Sequence, residues 1–253
     1  MLIPVIILAF VQGLTEFLPV SSSGHLVLLS KLFGISNDFL LLSVLLHVAT
    51  LFSVIFVMKD EIKELIKNPY GKMGKNLIIA TLPTVIIVLL FKGVFDKSFS
   101  GAYLPICFML TAFLIVLTEI LKRYQKNDKS ITKKISVFMG IAQGIAVFPG
   151  ISRSGATICT GLISRGKKDE VANFSFLMSI PIIIASLILE IYEYVSSGQA
   201  IVLAWYELLV GFIVAFIVGL FAVKFMLKII KKHSLIWFAI YLIFISVISF
   251  MVI

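Results

Sequence analysis

Gln12-Gly-Leu-Thr-Glu-Phe-Leu-Pro-Val-Ser-Ser-Ser-Gly24 interrupts an apolar stretch running from Met1 to Phe33, and the reading of this interruption decides the fold. Gln12 and Glu16 are four residues apart and share one face of a helix. Pro19 disfavours continuation of that helix, and Ser21-Ser22-Ser23-Gly24 supplies N-cap hydroxyls for a second half-helix beginning near His25. Flanking apolar pieces of about 10–14 residues are too short to span a bilayer and read as a re-entrant hairpin. Irregular backbone at membrane depth persists only where protein or a water-filled cavity surrounds it, so the break is a candidate site.

Composition places the break in a membrane. The chain of 253 residues is 60% apolar and 14% charged, against about 45–50% and about 25% for a soluble domain. A mean hydropathy of +1.12 leaves too few polar residues to cover a soluble core. The net charge of +9 does not point to nucleic acid, because the basic residues occupy short loops and form no folded basic face. Cys107 and Cys159 have no second Cys or His at ligand spacing, which suggests neither a disulfide framework nor zinc. Met1-Leu-Ile-Pro-Val carries no basic residues ahead of its apolar stretch and does not resemble a cleavable signal peptide.

Outward from the first break, six segments qualify as spans: Phe39–Met58, Leu77–Phe91 (slightly short), Tyr103–Leu121, Val171–Leu189, Trp205–Val223 and Leu235–Ile253. A second broken region, Ile135–Ile163, matches the first. Gln143-Gly-Ile-Ala-Val-Phe-Pro-Gly-Ile-Ser-Arg-Ser-Gly155 aligns without gaps on the opening stretch, Gln143 on Gln12 and Gly155 on Gly24, with Gln, Gly, Phe, two Ser and the last Gly identical. Each half, about 1–127 and 131–253, then holds one hairpin and three spans within a single membrane domain. An odd number of spans turns the second half upside down, the inverted-repeat plan. The expected fold is an all-α polytopic membrane protein of six transmembrane helices plus two re-entrant helical hairpins.

Lys and Arg set the orientation. Of 22 such residues, 18 fall in the loops Lys59–Lys75, Lys122–Lys134, Arg165–Lys168 and Lys224–Lys232, and Lys31, Lys92 and Lys97 fall on the alternate side. The acidic run from Glu190 to Glu207 suits an outside loop. Both termini are therefore expected to be extracytoplasmic, with the first hairpin entering from outside and the site opening outward.

A charge near the bilayer centre costs about 2.5–3.5 kcal/mol on insertion scales, so Glu16 and Arg153 each need a reason. A structural pair is the bland one. The other is that the N-termini after Ser21 and Ser152 bind an anion, with the Arg153 fork between them. His25 lies beside Glu16, Ser21 and Ser22 in a short segment, which favours chemistry over capping. His47 lines the cavity or bonds a neighbouring helix; Glu119 reads as interfacial and His233 as a solvated loop residue. Inverted repeats with meeting half-helices also suit a transporter, here a flippase of a phosphorylated lipid carrier. Gly211 and Gly219 allow close helix packing, either within the chain or in a homodimer.

Gly13-Leu-Thr-Glu-Phe-Leu-Pro-Val-Ser-Ser-Ser-Gly-His25 and Pro149-Gly-Ile-Ser-Arg-Ser-Gly-Ala-Thr157 closely resemble the two motifs of the bacterial undecaprenyl-diphosphate phosphatase family, also called bacitracin-resistance proteins. The resemblance covers essentially the whole chain. It implies a plasma-membrane enzyme that removes the terminal phosphate of undecaprenyl diphosphate, with a polyprenyl diphosphate substrate. It also implies a divalent cation, Mg²⁺ or Ca²⁺, for which Glu16 is the candidate ligand. Gln12 stands where many members have Glu, which leaves one carboxylate fewer. The candidate catalytic residues are Glu16, Ser22, His25 and Arg153. Ser21, Ser23, Gly24, Ser152, Ser154, Gln12 and Gln143 join Arg153 as candidate phosphate-binding residues. The residues leave open whether Ser22 or His25 attacks, or whether His25 activates a serine or water while Glu16 holds metal or orients the imidazole.

Overall fold

The computed structural model describes residues 2–35, 39–91, 93–94, 101–124, 128–197 and 203–252. Lys92, Lys97 and parts of the loops 122–134 and 190–207 lie outside the described residues. Among the described residues the chain is helical, and its only extended pairing is an isolated bridge between Lys129 and Gly166. The helices are α1 (Leu2–Thr15), α2 (Ser22–Phe33), α3 (Phe39–Val57), α4 (Lys59–Lys67), α5 (Lys72–Leu90), α6 (Leu104–Leu121), α7 (Lys133–Ile145), α8 (Arg153–Ile163), α9 (Lys168–Ser197), α10 (Trp205–Lys232) and α11 (Ile236–Val252).

Helices α3, α5, α6, α9 and α10 are long and apolar enough to cross a membrane. With 17 residues, α11 sits at the lower edge of the range of about 17–25 that spans a bilayer. By contrast α1, α2, α7 and α8 have 14, 12, 13 and 11 residues, which at 1.5 Å per residue reach about 16–21 Å of a core about 30 Å thick. The chain is thus an all-α polytopic membrane protein with two pairs of short helices, α1–α2 and α7–α8, each pair packed together around its break.

Several helices outrun their apolar segments. The span expected at Leu77–Phe91 begins at Lys72, because buried Asn76 donates to the Ile131 carbonyl at 3.2 Å and so satisfies a polar first turn. Lysines likewise continue α10 to Lys232, since their stems pack while their ammonium groups reach water. The basic stretch after α3 is not all loop: Lys59–Lys67 forms α4, with no buried residue.

The four basic loops gather at one end of the bundle. Asn76 joins the first to the second, the Lys129–Gly166 bridge joins the second to the third, and Lys231 Nζ lies 3.7 Å from Asp169 Oδ1. In the register that lays Gln143 on Gln12, helices α1, α2, α3, α5 and α6 overlie α7, α8, α9, α10 and α11. Packing follows the same relation, α1 against α10 and α7 against α5. Gly211 and Gly219 are used inside the chain: added Cβ atoms would lie 3.0 Å from Val5 and 2.6 Å from the Ser53 hydroxyl. Phe17, Phe108, Phe174 and Phe176 are buried in the main core, next to the two breaks.

Candidate active site

The tips of the two short-helix pairs meet in the protein interior. Ser152 and Ser154 donate to the Leu18 carbonyl at 3.4 and 2.7 Å, and the Gly150 N–H donates to Ser21 Oγ at 3.0 Å. Thr111 of α6 pins the second tip, donating to the Gly150 carbonyl and accepting from the Ser152 N–H. Gly150 has φ +94°, and a Cβ there would lie 2.6 Å from that of Cys107. Gly150→Ala is therefore expected to cost ~2–4 kcal/mol through left-handed strain plus overpacking, read as a lower melting midpoint in detergent.

Each tip ends in a capped helix. Ser21 accepts from the Gly24 N–H and Ser152 from the Gly155 N–H, at 3.4 and 3.0 Å. These caps make Ser22 and Arg153 the first residues of α2 and α8, equivalent positions in the two aligned stretches. Both reach the carboxylate that follows the last turn of α1. Ser22 Oγ donates to Glu16 Oε2 at 2.5 Å, Gln12 Nε2 donates to the same oxygen at 3.0 Å, and Arg153 Nη2 pairs with Oε1. Glu16 is 5% exposed and Gln12 fully buried. A buried carboxylate needs such compensation, because desolvation of an unpaired one costs several kcal/mol.

A cleft opens over this group. Glu16, Ser21, Ser22, Ser23, Arg153 and Gln143 supply its polar floor, and Val27, Ile151, Ile183 and Leu187 much of its apolar wall. The first turns of α3 (Phe39, Ser43, His47) and the later half of α9 (Ile183 to Glu190) also line it. Both of those segments point away from the basic loops, because α3 runs towards Lys59 and α9 starts at Lys168.

His47, left undecided by the sequence, lines the cleft. Its Nδ1 donates to the Ser43 carbonyl at 2.8 Å, and its Nε2 lies 3.8 Å from Glu16 Oε2. The signal that marks it is an ionisable side chain in mid-span, which defaults to function. His25 is placed elsewhere. Its ring is 5% exposed and points away from the cleft, bonded to the Ser21 carbonyl and to Tyr241 and flanked by Phe108. Ser152 and Ser154 hold the tip contact, while Gly24 allows it: a Cβ there would lie 3.0 Å from Gly150 Cα. Gln143 lines the cleft and donates to Thr84 Oγ1 at 3.4 Å, and the Oε1 atoms of Gln12 and Gln143 are buried without a hydrogen-bond partner. Glu119 bonds Lys122 and the Leu235 N–H at the start of α11.

The donor set does not by itself make a divalent-cation site. Among the described residues no three His, Cys, Asp or Glu side chains gather as ligands, and both Glu16 oxygens are committed to Arg153, Ser22 and Gln12. A cation cage of this kind needs several oxygen donors.

The family model described as bacitracin resistance protein BacA matches residues 5–248. Undecaprenyl-diphosphatase of Carboxydothermus hydrogenoformans is 44% identical, covering 93% of this chain and 91% of that one. The enzyme of the same name from Halothermothrix orenii is 39% identical over 94% and 92%. Undecaprenyl-diphosphatase 4 of Bacillus cereus is 41% identical over 93% and 91%. Matched from end to end in this way, the chain belongs to the bacitracin resistance protein BacA family.

Proposed function

We propose that this chain hydrolyses undecaprenyl diphosphate to undecaprenyl phosphate and inorganic phosphate, returning the lipid carrier to peptidoglycan synthesis. The observation that carries the reading is a serine hydroxyl 2.5 Å from a buried carboxylate whose other oxygen holds an arginine. Phosphoryl transfer asks a protein for positioning and charge neutralisation, and these three groups supply both. Glu16 accepts the Ser22 proton as Oγ attacks the terminal phosphorus. The bond to the bridging oxygen breaks, and undecaprenyl phosphate leaves with its electron pair. Arg153 moves from Glu16 to the non-bridging oxygens, assisted by free N–H groups in the first turns of α2 and α8. Water then cleaves the phosphoserine, its proton passing to His47 while the proton held on Glu16 returns to the Ser22 oxygen, and inorganic phosphate leaves. The direct test is phosphate release from undecaprenyl diphosphate by the purified chain in detergent. No release from folded protein supplied with Mg²⁺ or Ca²⁺ would overturn the reading.

The cation belongs in this scheme only as a companion of the diphosphate, whose oxygens supply donors the protein lacks. EDTA is accordingly expected to lower turnover while leaving the melting midpoint of the substrate-free protein unchanged, since no protein cage is lost. A drop of several degrees on chelation would contradict this.

We further propose that the halves 1–127 and 131–253 form an inverted repeat with two re-entrant hairpins. The one-to-one correspondence of helices between the halves supports it. The same correspondence favours a second reading, a flippase of the phosphorylated carrier, which the phosphate-release assay separates from a phosphatase. In the bacterial plasma membrane the gathered basic loops would be cytoplasmic, both termini extracytoplasmic, and the cleft outward-facing. A cysteine at Asp128 is then expected to react with impermeant thiol reagents only from the cytoplasmic side. Two copies, if they pair, do so through lipid-facing surface, because Gly211 and Gly219 already face α1 and α3.

A further inference from the structure

Ser21 is one of two described non-glycine residues with positive φ, at φ +66° and ψ +93°. That turn fixes where α2 starts and hence where the Ser22 hydroxyl points. Positive φ is unfavourable for a residue with a Cβ, so it persists only where surrounding contacts impose it. Two sets of contacts do so. The Ser21 hydroxyl accepts from the N–H groups of Gly24 and Gly150. Its carbonyl accepts from the His25 N–H at 3.3 Å and from His25 Nδ1 at 2.7 Å.

The carbonyl also fixes the imidazole. A carbonyl oxygen only accepts, so Nδ1 carries the proton and neutral Nε2 is an acceptor. The Tyr241 hydroxyl of α11 donates to it at 2.7 Å, and the two rings stack at 5.6 Å with 5° between their planes. Phe108 closes the other side, edge-on at 5.4 Å. Both ring nitrogens are thus engaged away from the cleft, in an arrangement that suits orientation of the turn better than proton transfer to substrate.

We propose that Tyr241, acting through His25, is a positioning residue for the Ser21 turn and so for the Ser22 hydroxyl on Glu16. The proposal rests on the phosphatase reading only in naming what Ser22 does there.

The test compares Tyr241→Phe, His25→Asn and His25→Ala with wild type in phosphate release and in the rate at which an organofluorophosphate labels Ser22. Tyr241→Phe keeps the stacked ring and removes one hydroxyl. It is expected to lower kcat and the labelling rate in parallel by roughly five- to tenfold, the scale of one hydrogen bond, with KM and the pH profile unchanged. His25→Asn retains a donor where Nδ1 lies but loses the Tyr241 bond, so it is expected to fall to the level of Tyr241→Phe and to stay clearly above His25→Ala, again with the wild-type pH profile. Wild-type kcat and labelling in Tyr241→Phe would overturn the proposal. So would His25→Asn as inactive as His25→Ala with one limb of the pH profile gone, the mark of an imidazole that itself transfers a proton. If Tyr241→Phe fails to fold, the Asn and Ala pair decides alone. If wild type releases no phosphate while the labelling ratios hold, the phosphatase reading fails and the positioning role stands.

Discussion

Arg153→Ala is expected to lower kcat/KM by roughly 10³-fold, because among the described residues Arg153 is the one Arg or Lys lining the cleft, and on the proposed mechanism it neutralises the transferring phosphoryl group. The same substitution leaves the Glu16 carboxylate, 2% exposed in its side chain, without its ionic partner. Removing one member of a buried pair costs about 3–5 kcal/mol, so the melting midpoint falls along with activity. Arg153→Lys separates the two effects. A lysine restores charge next to Glu16 and much of the stability, but it presents a point charge in place of a planar fork and recovers little turnover. Equal recovery of stability and turnover by lysine would mean that charge alone, and not bidentate geometry, is what the site requires.

Ser22→Ala is expected to lose roughly 10³-fold or more in kcat while leaving both substrate affinity and folding near wild type. The contrast with Arg153 follows from what each side chain supports. Ser22 gives Glu16 one hydrogen bond, and Gln12 still donates to the same oxygen after its loss, so the carboxylate keeps Arg153 and one neutral donor. What disappears is the oxygen proposed to attack. A residual rate within tenfold of wild type would transfer the attack from Ser22 to water, with Glu16 or His47 as its base.

The two breaks were legible because each rule they break is local: a proline and a serine cluster inside an apolar run, with one unpaired charge apiece. Glu16 and Arg153 stood out by cost alone, and their meeting followed once the two stretches aligned. The ends of α5, α9 and α10 were not legible, because lysine and glutamate are compatible with continued helix and hydropathy falls before the helix does. Nor could the sequence sort the serines. Ser21 and Ser154 take their roles from contacts 129 and 136 residues away, which exist only because the two tips approach. His25 is the clearest case. Its motif places it four residues after Ser21, yet its partner is Tyr241, 216 residues downstream, in a helix whose apolar pattern gives no sign of the contact. His47 stayed undecided for a different reason: Ser43, His47, Thr50 and Ser53 share one face of α3, and their spacing does not say whether that stripe meets a cleft or a neighbouring helix, to which Ser53 in fact donates at the Phe216 carbonyl.

The most direct test of the central claim, Ser22 as nucleophile between Glu16 and Arg153, is a single-turnover acid quench with undecaprenyl diphosphate radiolabelled in its terminal phosphate. The expected result is label transiently bound to protein, mapped to Ser22 and absent from Ser22→Ala. Stoichiometric phosphate release with no labelled protein at any quench time, together with wild-type turnover by Ser22→Ala, would contradict it.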